Sequence, residues 1–298
     1  MEFIRSNLLR DHTAATEVKK IDLPVNPISH LIISLDMYNA TDEATLAEVL
    51  AFINTIQVTH NGRAILSMQS EDLYGLNSYL YGNRPVLVGK LATDNLLRCL
   101  SLVVPFGRRI FDPDECFPGT RKGELTLSLD YTAPATSADN GTLNIEAVEL
   151  PEATPQRFLK SIMNTVSAPG ATGDNDYELP IGNPIVAAMI RCTTWPAASS
   201  HAFGVDMAKV LVDNKEFGYA SARAQCMTGD LIHRYDTQHG AIAAQGLITP
   251  DSVFFVDFDP AKDGNFLLET AGKSSVKLRM EMGVDEATYV STMELVDV

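Results

Sequence analysis

Residues 123–131, GELTLSLDY, alternate between apolar and polar side chains, and residues 274–282, SSVKLRMEM, do the same. An alternation with a period of two is typical of a β-strand that buries one face and leaves the other in solvent. The two stretches therefore predict half-buried antiparallel strands. The predicted buried positions are Leu125, Leu127, Leu129 and Tyr131 in the first stretch and Val276, Leu278, Met280 and Met282 in the second.

These two stretches belong to a longer internal repeat, in which similar segments recur in the same order at an offset of about 150 residues. Residues 21–28, IDLPVNPI, correspond to residues 177–185, YELPIGNPI, and an apolar strand follows each. Further collinear pairs are residues 56–58 with 210–212, 70–73 with 228–231, 91–93 with 247–249 and 102–104 with 253–255. We predict a duplicated domain, with copies at 21–150 and 177–298. Residues 151–176 are then a linker that begins with a short helix, from Pro155 to Asn164.

Each copy is predicted to be an all-β domain of about seven or eight strands. Asn61-Gly62 lies between β-like segments and can supply the positive φ angles of a tight hairpin turn. Ser70 and Thr228 are candidate N-caps, each followed by apolar residues at helical spacing, so each copy should also contain one short helix. This inventory predicts two tandem jelly-roll β-sandwiches, that is, a double jelly roll.

Residues 1–20 are predicted to form a separate amphipathic helical segment before the first copy. The apolar residues of this segment are Phe3, Ile4, Leu8 and Leu9, and its basic residues are Arg5, Arg10, Lys19 and Lys20. Such a helix fits three docking sites: its own domain, a neighbouring subunit or a membrane face.

The chain has 298 residues, of which 45% are hydrophobic, and a formal net charge of −15. This charge argues against nucleic-acid binding, because phosphate contacts require clustered Lys and Arg. No apolar run approaches the roughly 20 residues that span a bilayer, and the N-terminus lacks the apolar core of a secretory signal. We therefore expect a cytosolic protein, at least until it is assembled into a larger structure. Cys99, Cys116, Cys192 and Cys226 form no C-x-x-C pair and are predicted to be reduced and mostly buried.

The search for a chemical site finds no nucleophile elbow, phosphate loop, dinucleotide-binding fingerprint or H-E-x-x-H motif. Asp257, Asp259 and Asp263 have the composition of a calcium loop but not its spacing, so we interpret them as a turn and keep cation binding as the alternative. Arg108-Arg109 is predicted to make an ion pair or a subunit contact. We predict no catalytic, cofactor-binding or metal-binding residues, no cofactor and no enzyme activity.

Three patterns resemble the double jelly-roll major capsid proteins of tailless icosahedral viruses, the lineage that includes adenovirus hexon. They are the strand, Asn-Gly turn and helix from Ile56 to Leu73, the segment from Val104 to Pro118, and the strand beginnings at Asp22-Leu23-Pro24 and Glu178-Leu179-Pro180. The resemblance implies a homotrimer whose six jelly rolls form a pseudo-hexagonal capsomer. It also implies a location in the virion, after synthesis in the host cytoplasm. The partners it implies are neighbouring capsomers, minor capsid or penton proteins and, through residues 1–20, an internal viral membrane.

Two other function classes stay open. A tandem β-sandwich could be a bicupin-like enzyme or a carbohydrate-binding protein, although the six histidines never occur as the H-x-H of a cupin metal site. A duplicated acidic chain could also be a ring-forming DNA clamp, although such a ring needs longer helices and a basic inner surface.

Overall fold

The computed structural model describes residues 2–13, 15–40, 44–82, 85, 87–88, 96–132, 138–192, 204–230 and 253–298. These residues form two compact units. The first unit runs to Lys160 and includes Asp297–Val298, and the second comprises residues 161–230 and 253–296.

The described part of the first unit contains nine strands and two helices. They are β1 (Ile4–Thr13), β2 (Glu17–Asp22), β3 (Ile28–Asn39), α1 (Leu46–Leu50), β4 (Ile53–His60), β5 (Arg63–Met68), α2 (Ser70–Tyr81), β6 (Leu87–Val88), β7 (Leu97–Pro105), β8 (Leu125–Tyr131) and β9 (Ala138–Glu149). A further strand, β10 (Arg157–Val166), crosses the boundary between the two units.

The described part of the second unit contains seven more strands and one helix. They are β11 (Gly173–Glu178), β12 (Ile185–Arg191), β13 (Val205–Val212), β14 (Lys215–Arg223), α3 (Ala224–Asp230), β15 (Val253–Asp257), β16 (Val276–Met282) and β17 (Thr288–Asp297).

The strands of the first unit form two antiparallel sheets, and the chain passes repeatedly between them. One sheet has the order β1-β9-β3-β7-β6, and in the other β2, β8, β4 and β5 are successive neighbours. The first and last strands, β1 and β9, are therefore neighbours, and so are the second strand, β2, and the last but one, β8. This nesting is the Greek-key arrangement of an eight-stranded jelly roll, to which β6 is an addition.

The second unit repeats this topology. One sheet has the order β15-β12-β17-β10 and the other β11-β16-β13-β14, so each strand has its counterpart in the first unit. A single hydrophobic core includes side chains from both sheets, such as Ile190 and Phe254 on one side and Val210 and Leu278 on the other. The predicted alternation is confirmed, because every second residue of β8 and of β16 is buried.

Single hydrogen bonds also repeat between the two units. The N–H of Leu150 donates to the carbonyl of Pro27 at 2.8 Å, and the N–H of Leu295 donates to that of Pro184 at 2.9 Å. Ile28 and Phe117 exchange two backbone hydrogen bonds, as do Ile185 and Leu268. The hairpin tips correspond as well, since Asn61-Gly62 and Asp213-Asn214 all have positive φ angles. These shared contacts favour a duplicated origin of the two units.

Two predicted helices are strands. Residues 4–13 form β1, which pairs with β9, and most of the predicted helix at Pro155–Asn164 forms β10. The helix prediction for residues 1–20 was wrong because Leu8 and Leu9 follow Ile4 by four and five positions, as they would on one face of a helix. This spacing arises because the register of β1 on β9 shifts twice, between Asn7 and His12, and each irregularity breaks the two-residue period.

The other two helix beginnings also differ from prediction. α2 begins at Ser70, so that Gln69 is its N-cap, and α3 begins four residues before Thr228. Residues 231–235, the rest of the predicted second helix, lie outside the described residues.

Candidate functional site

The acidic cluster after β15 folds as a turn that its own carboxylates stabilise. Asp257 accepts the N–H of Asp259 at 2.8 Å, the buried Asp259 accepts that of Gly264 at 2.8 Å, and Asp263 accepts that of Asn265 at 3.0 Å. Bonds from a carboxylate to a nearby backbone N–H are typical of Asx turns. Among the described residues, no group of three His, Cys, Asp or Glu is placed to hold a metal ion.

The corresponding loop of the first unit, between β7 and β8, contains a buried ionic cluster. Arg108 Nε donates to both carboxylate oxygens of Glu115, at 3.1 and 2.9 Å, and both side chains are almost completely buried. Arg157 Nε, from the start of β10, donates to Glu115 at 2.8 Å. Burial alone would raise the pKa of Glu115, but the hydrogen bonds and charge of Arg108 and the charge of Arg157 outweigh it and lower that pKa. Arg108 thus makes the predicted ion pair, whereas Arg109 is exposed.

Close packing fixes the backbone of the same loop. A Cβ atom at Gly107 would lie 2.1 Å from the carbonyl oxygen of Glu115, so no larger residue fits there. Phe117 packs against Phe106 and Phe158, with ring centroids 5.5 and 4.9 Å apart. The segment from Phe106 to Phe117 is therefore held by an ionic pair, a backbone contact and an aromatic cluster.

A second buried polar site occurs in both units, and the sequence analysis missed it. Asn26 donates to Glu149 at 2.8 Å, and Asn183 donates to Glu294 at 2.9 Å. Both glutamates are buried near the end of the last strand of their unit. The signal in the sequence is a repeated Asn-Pro, at 26–27 and 183–184, and a repeated Glu-Leu, at 149–150 and 294–295. In both units this hydrogen bond joins the loop before the third strand to the last strand.

The loop between β7 and β8 also carries an exposed aromatic residue, Phe111. The ring of Phe111 packs edge-on against Phe3, with centroids 5.5 Å apart, and against His30 at 5.2 Å. The buried hydroxyl of Ser29 accepts the N–H of Phe111 at 2.7 Å. Burial, with a smaller effect of the Arg5 charge, lowers the pKa of His30 to about 4. His30 is therefore neutral at physiological pH.

The four cysteines are free thiols in different environments. Cys116 and Cys192 are buried, Cys99 is half-buried and Cys226 is exposed. Burial raises the pKa of Cys116 and of Cys192 to about 12 and that of Cys99 to about 11. Only a thiolate is an effective nucleophile, so these three thiols should react slowly.

In the part of the chain that the structure describes, no helix is both long and apolar enough to cross a membrane. The sequence matches no protein-family model and no curated protein.

Solved structures give the only informative similarity. The major capsid protein P2 from bacteriophage PM2 matches with a TM-score of 0.64 and 15% identity, over 99% of this chain and 98% of that one. The major capsid protein of Sulfolobus Turreted Icosahedral Virus (STIV) matches with a TM-score of 0.72 and 14% identity, over 99% and 97%. The Faustovirus major capsid protein matches with a TM-score of 0.57 and 7% identity, over 100% and 90%.

At identities this low, structural similarity establishes the fold. Each unit is a complete eight-stranded jelly roll, and the similarity extends over nearly the whole length of the chain. The chain therefore has the double jelly-roll fold found in major capsid proteins of icosahedral viruses.

Proposed function

We propose that this chain is the major capsid protein of a tailless icosahedral virus. The observation that carries the proposal is coverage: the shared fold accounts for 99% of this chain and for 97% or more of the two capsid proteins from PM2 and STIV. A role as a structural subunit fits the two buried polar sites described above, because their carboxylates accept hydrogen bonds from side chains of the same chain. The proposed activity is self-assembly and not catalysis.

The proposed assembly unit is a homotrimer. Three copies of a chain with two similar units supply six similar building blocks, and a closed ring of three copies then has pseudo-hexagonal symmetry. The repeated hydrogen bonds at Pro27 and Pro184 favour this proposal, because building blocks in a pseudo-hexagon must have similar frameworks. In this proposal the two copies are residues 21–150 and 177–298, and one further strand, β1 or β10, precedes each of them.

The remaining partners are proposals of the same kind. They comprise neighbouring capsomers and minor capsid or penton proteins, in a virion assembled from subunits made in the host cytoplasm. We propose no sequence-specific contact with nucleic acid, for which the charge of −15 is unfavourable. A contact between residues 1–20 and an internal membrane would have to be made by β1 and β2, because these residues form strands.

The native mass tests the proposal directly. Light scattering during size-exclusion chromatography should give about 97.5 kDa, three times the chain mass of 32.5 kDa. Electron microscopy of the same peak should show a hexagonal outline. A strict monomer that holds stoichiometric metal would refute the proposal and favour the tandem β-sandwich enzyme instead.

A further inference from the structure

We propose that Ser29 and His30 form an acid-sensitive latch that holds the tip of the loop between β7 and β8 against the sheet. The tip is defined as residues 109–112. The latch is closed at neutral pH, and a mildly acidic pH releases the tip. The inference concerns the first unit by itself and does not depend on the proposed function.

The tip is attached to the sheet at Phe111. The N–H of Phe111 donates to the buried hydroxyl of Ser29 at 2.7 Å, and its ring lies edge-on to that of His30, with centroids 5.2 Å apart. Phe111 has a φ angle of +61°, which is unfavourable for a bulky residue. Such a conformation persists only while the surrounding contacts enforce it, so the loss of one contact favours release.

A chain of hydrogen bonds connects Phe111 to a titratable ring. Ser29 Oγ lies 3.0 Å from Nδ1 of His30. Because the hydroxyl accepts the N–H of Phe111, its own hydrogen is available to Nδ1 of the neutral imidazole. A protonated imidazole carries a hydrogen on both nitrogens, so this bond reverses and the hydroxyl must accept from two N–H groups. Its own hydrogen then loses Nδ1 as an acceptor, in a residue that is 1% exposed.

Burial and charge both oppose a proton on His30 while the tip is closed. Burial, with a smaller effect of the Arg5 charge, lowers the pKa of His30 to about 4. Arg5, Val148 and His30 lie opposite one another across β1, β9 and β3, so their side chains share one face of the sheet. Release of the tip hydrates the ring of His30. The open state therefore takes up a proton that the closed state excludes, and acid favours the open state.

The remaining charged groups near His30 have other contacts or face solvent. Glu146 of β9 pairs with Arg5, and Arg109 of the tip is exposed. On β7 the residue opposite His30 is Pro105, which does not titrate. Two further carboxylates accept hydrogen bonds from nearby groups: Glu149 from Ser6 and Asn26, and Asp112 from the N–H of Asp114. His30 is therefore the group that we expect to respond between pH 8 and pH 5.

The second unit has the same framework without the latch. Ile28 and Ile185 are equivalent, because each exchanges two backbone hydrogen bonds with the loop before the next-to-last strand of its unit. Ile28 is followed by Ser29-His30, whereas Ile185 is followed by Val186-Ala187, whose side chains neither titrate nor form hydrogen bonds. The jelly roll thus does not require a histidine at this position, and a pH-dependent contact explains why the first unit has one.

Hydrogen exchange at the Phe111 amide tests the latch, because this N–H is protected while the tip is closed. A ring whose pKa is 6.5 when hydrated and about 4 when buried favours opening by about 30-fold at pH 5 relative to pH 8. Exchange should be measured by NMR on the natural chain and corrected for the intrinsic effect of pH. The protection of Phe111 should fall by this factor. Phe117, whose N–H donates to Ile28 at 2.9 Å, should stay better protected at both pH values.

Three variants identify the groups responsible. His30→Gln removes the titratable ring and should make the protection of Phe111 the same at both pH values within about twofold. His60→Gln is the matched control and should retain the full change, because His60 also lies edge-on to a phenylalanine of this loop, Phe117, at 5.5 Å, but is only half-buried. Ser29→Ala removes the acceptor of the Phe111 N–H and should lower its protection by roughly fivefold at pH 8.

Each contrary result is decisive. Equal protection of Phe111 at pH 8 and pH 5 in the natural chain would overturn the latch, whether or not any variant folds. A fall of the same size in His30→Gln would assign the pH dependence to another group and would overturn it as well. Equal protection of Phe111 and Phe117 at pH 5 would mean that the tip opens only when the whole unit unfolds. That result would overturn the latch and leave the proposed function untouched.

Discussion

Replacing Glu115 by Gln should destabilise the first unit strongly, although the two side chains have nearly the same size. The substitution removes the carboxylate that pairs with Arg108, whose side chain is 7% exposed. Breaking a buried ion pair by removing one partner costs about 3–5 kcal/mol. Loss of the pair with Arg157, which is 35% exposed, adds about 1 kcal/mol at most.

This reasoning also predicts the behaviour of two related variants. Arg157→Met should be nearly neutral, since that ion pair is partly screened by solvent. The double variant Arg108→Met, Glu115→Leu removes both buried charges together. It should be clearly more stable than Glu115→Gln, because the one cation that then loses Glu115 is Arg157, which solvent partly screens.

Calorimetry is the appropriate assay, because two units can unfold in separate transitions. A loss of 3–5 kcal/mol should lower the transition of the first unit by roughly 10 °C and leave that of the second unit in place. A shift below about 2 °C for Glu115→Gln would contradict the argument. So would a double variant that is less stable than Glu115→Gln.

Three further predictions follow from single residues. Gly107→Ala should cost at least about 3 kcal/mol, because its Cβ would overlap the carbonyl of Glu115, whereas Gly229→Ala, in an open helical site, should be neutral or stabilising in the same unfolding assay. Because the pKa of His30 is depressed in the folded chain, the unfolded chain binds more protons between pH 6.5 and about 4. The free energy of unfolding should therefore fall by up to about 3 kcal/mol as the pH drops through this window. A His30→Gln variant titrated in parallel should show less of this loss. A thiol-specific reagent should modify Cys226 rapidly in the native chain and Cys116 and Cys192 only after denaturation, and equal rates, followed by mass spectrometry, would contradict the burial described above.

Features of the fold could be predicted where local pattern and tertiary structure agree. β8 and β16 have the alternation of half-buried strands, and Asn61-Gly62 has the conformational freedom that its hairpin turn uses. β1 and β10 were mispredicted because their apolar spacing imitates a helix, and pairing within a sheet decides the outcome. Local spacing contains no information about that pairing.

The buried polar sites were harder to predict for a different reason. Asn26 and Glu149 are 123 residues apart in the chain, and their hydrogen bond exists only once the strand register is set. The duplication offered an indirect signal, because a polar pair that recurs in both copies belongs to the shared framework. Phe111 offered none, since no local pattern announces a bulky residue at positive φ.

The two units agree in their eight-stranded framework and differ, among other places, in the loop that follows the sixth jelly-roll strand, and this contrast bears on the proposed assembly. The Asn-Glu hydrogen bonds, the hairpins and the strand orders are the same, so the jelly roll itself is maintained in both units. In the loop after the sixth jelly-roll strand, however, the first unit exposes Ile110 and Phe111, whereas the second exposes Asp263 and Phe266 and leaves Lys262 half-buried. Identical contacts around a pseudo-hexagon would need similar loops in both units. In the proposed pseudo-hexagon, the contacts made by this loop would therefore differ between the two units, although each unit presents an exposed phenylalanine there.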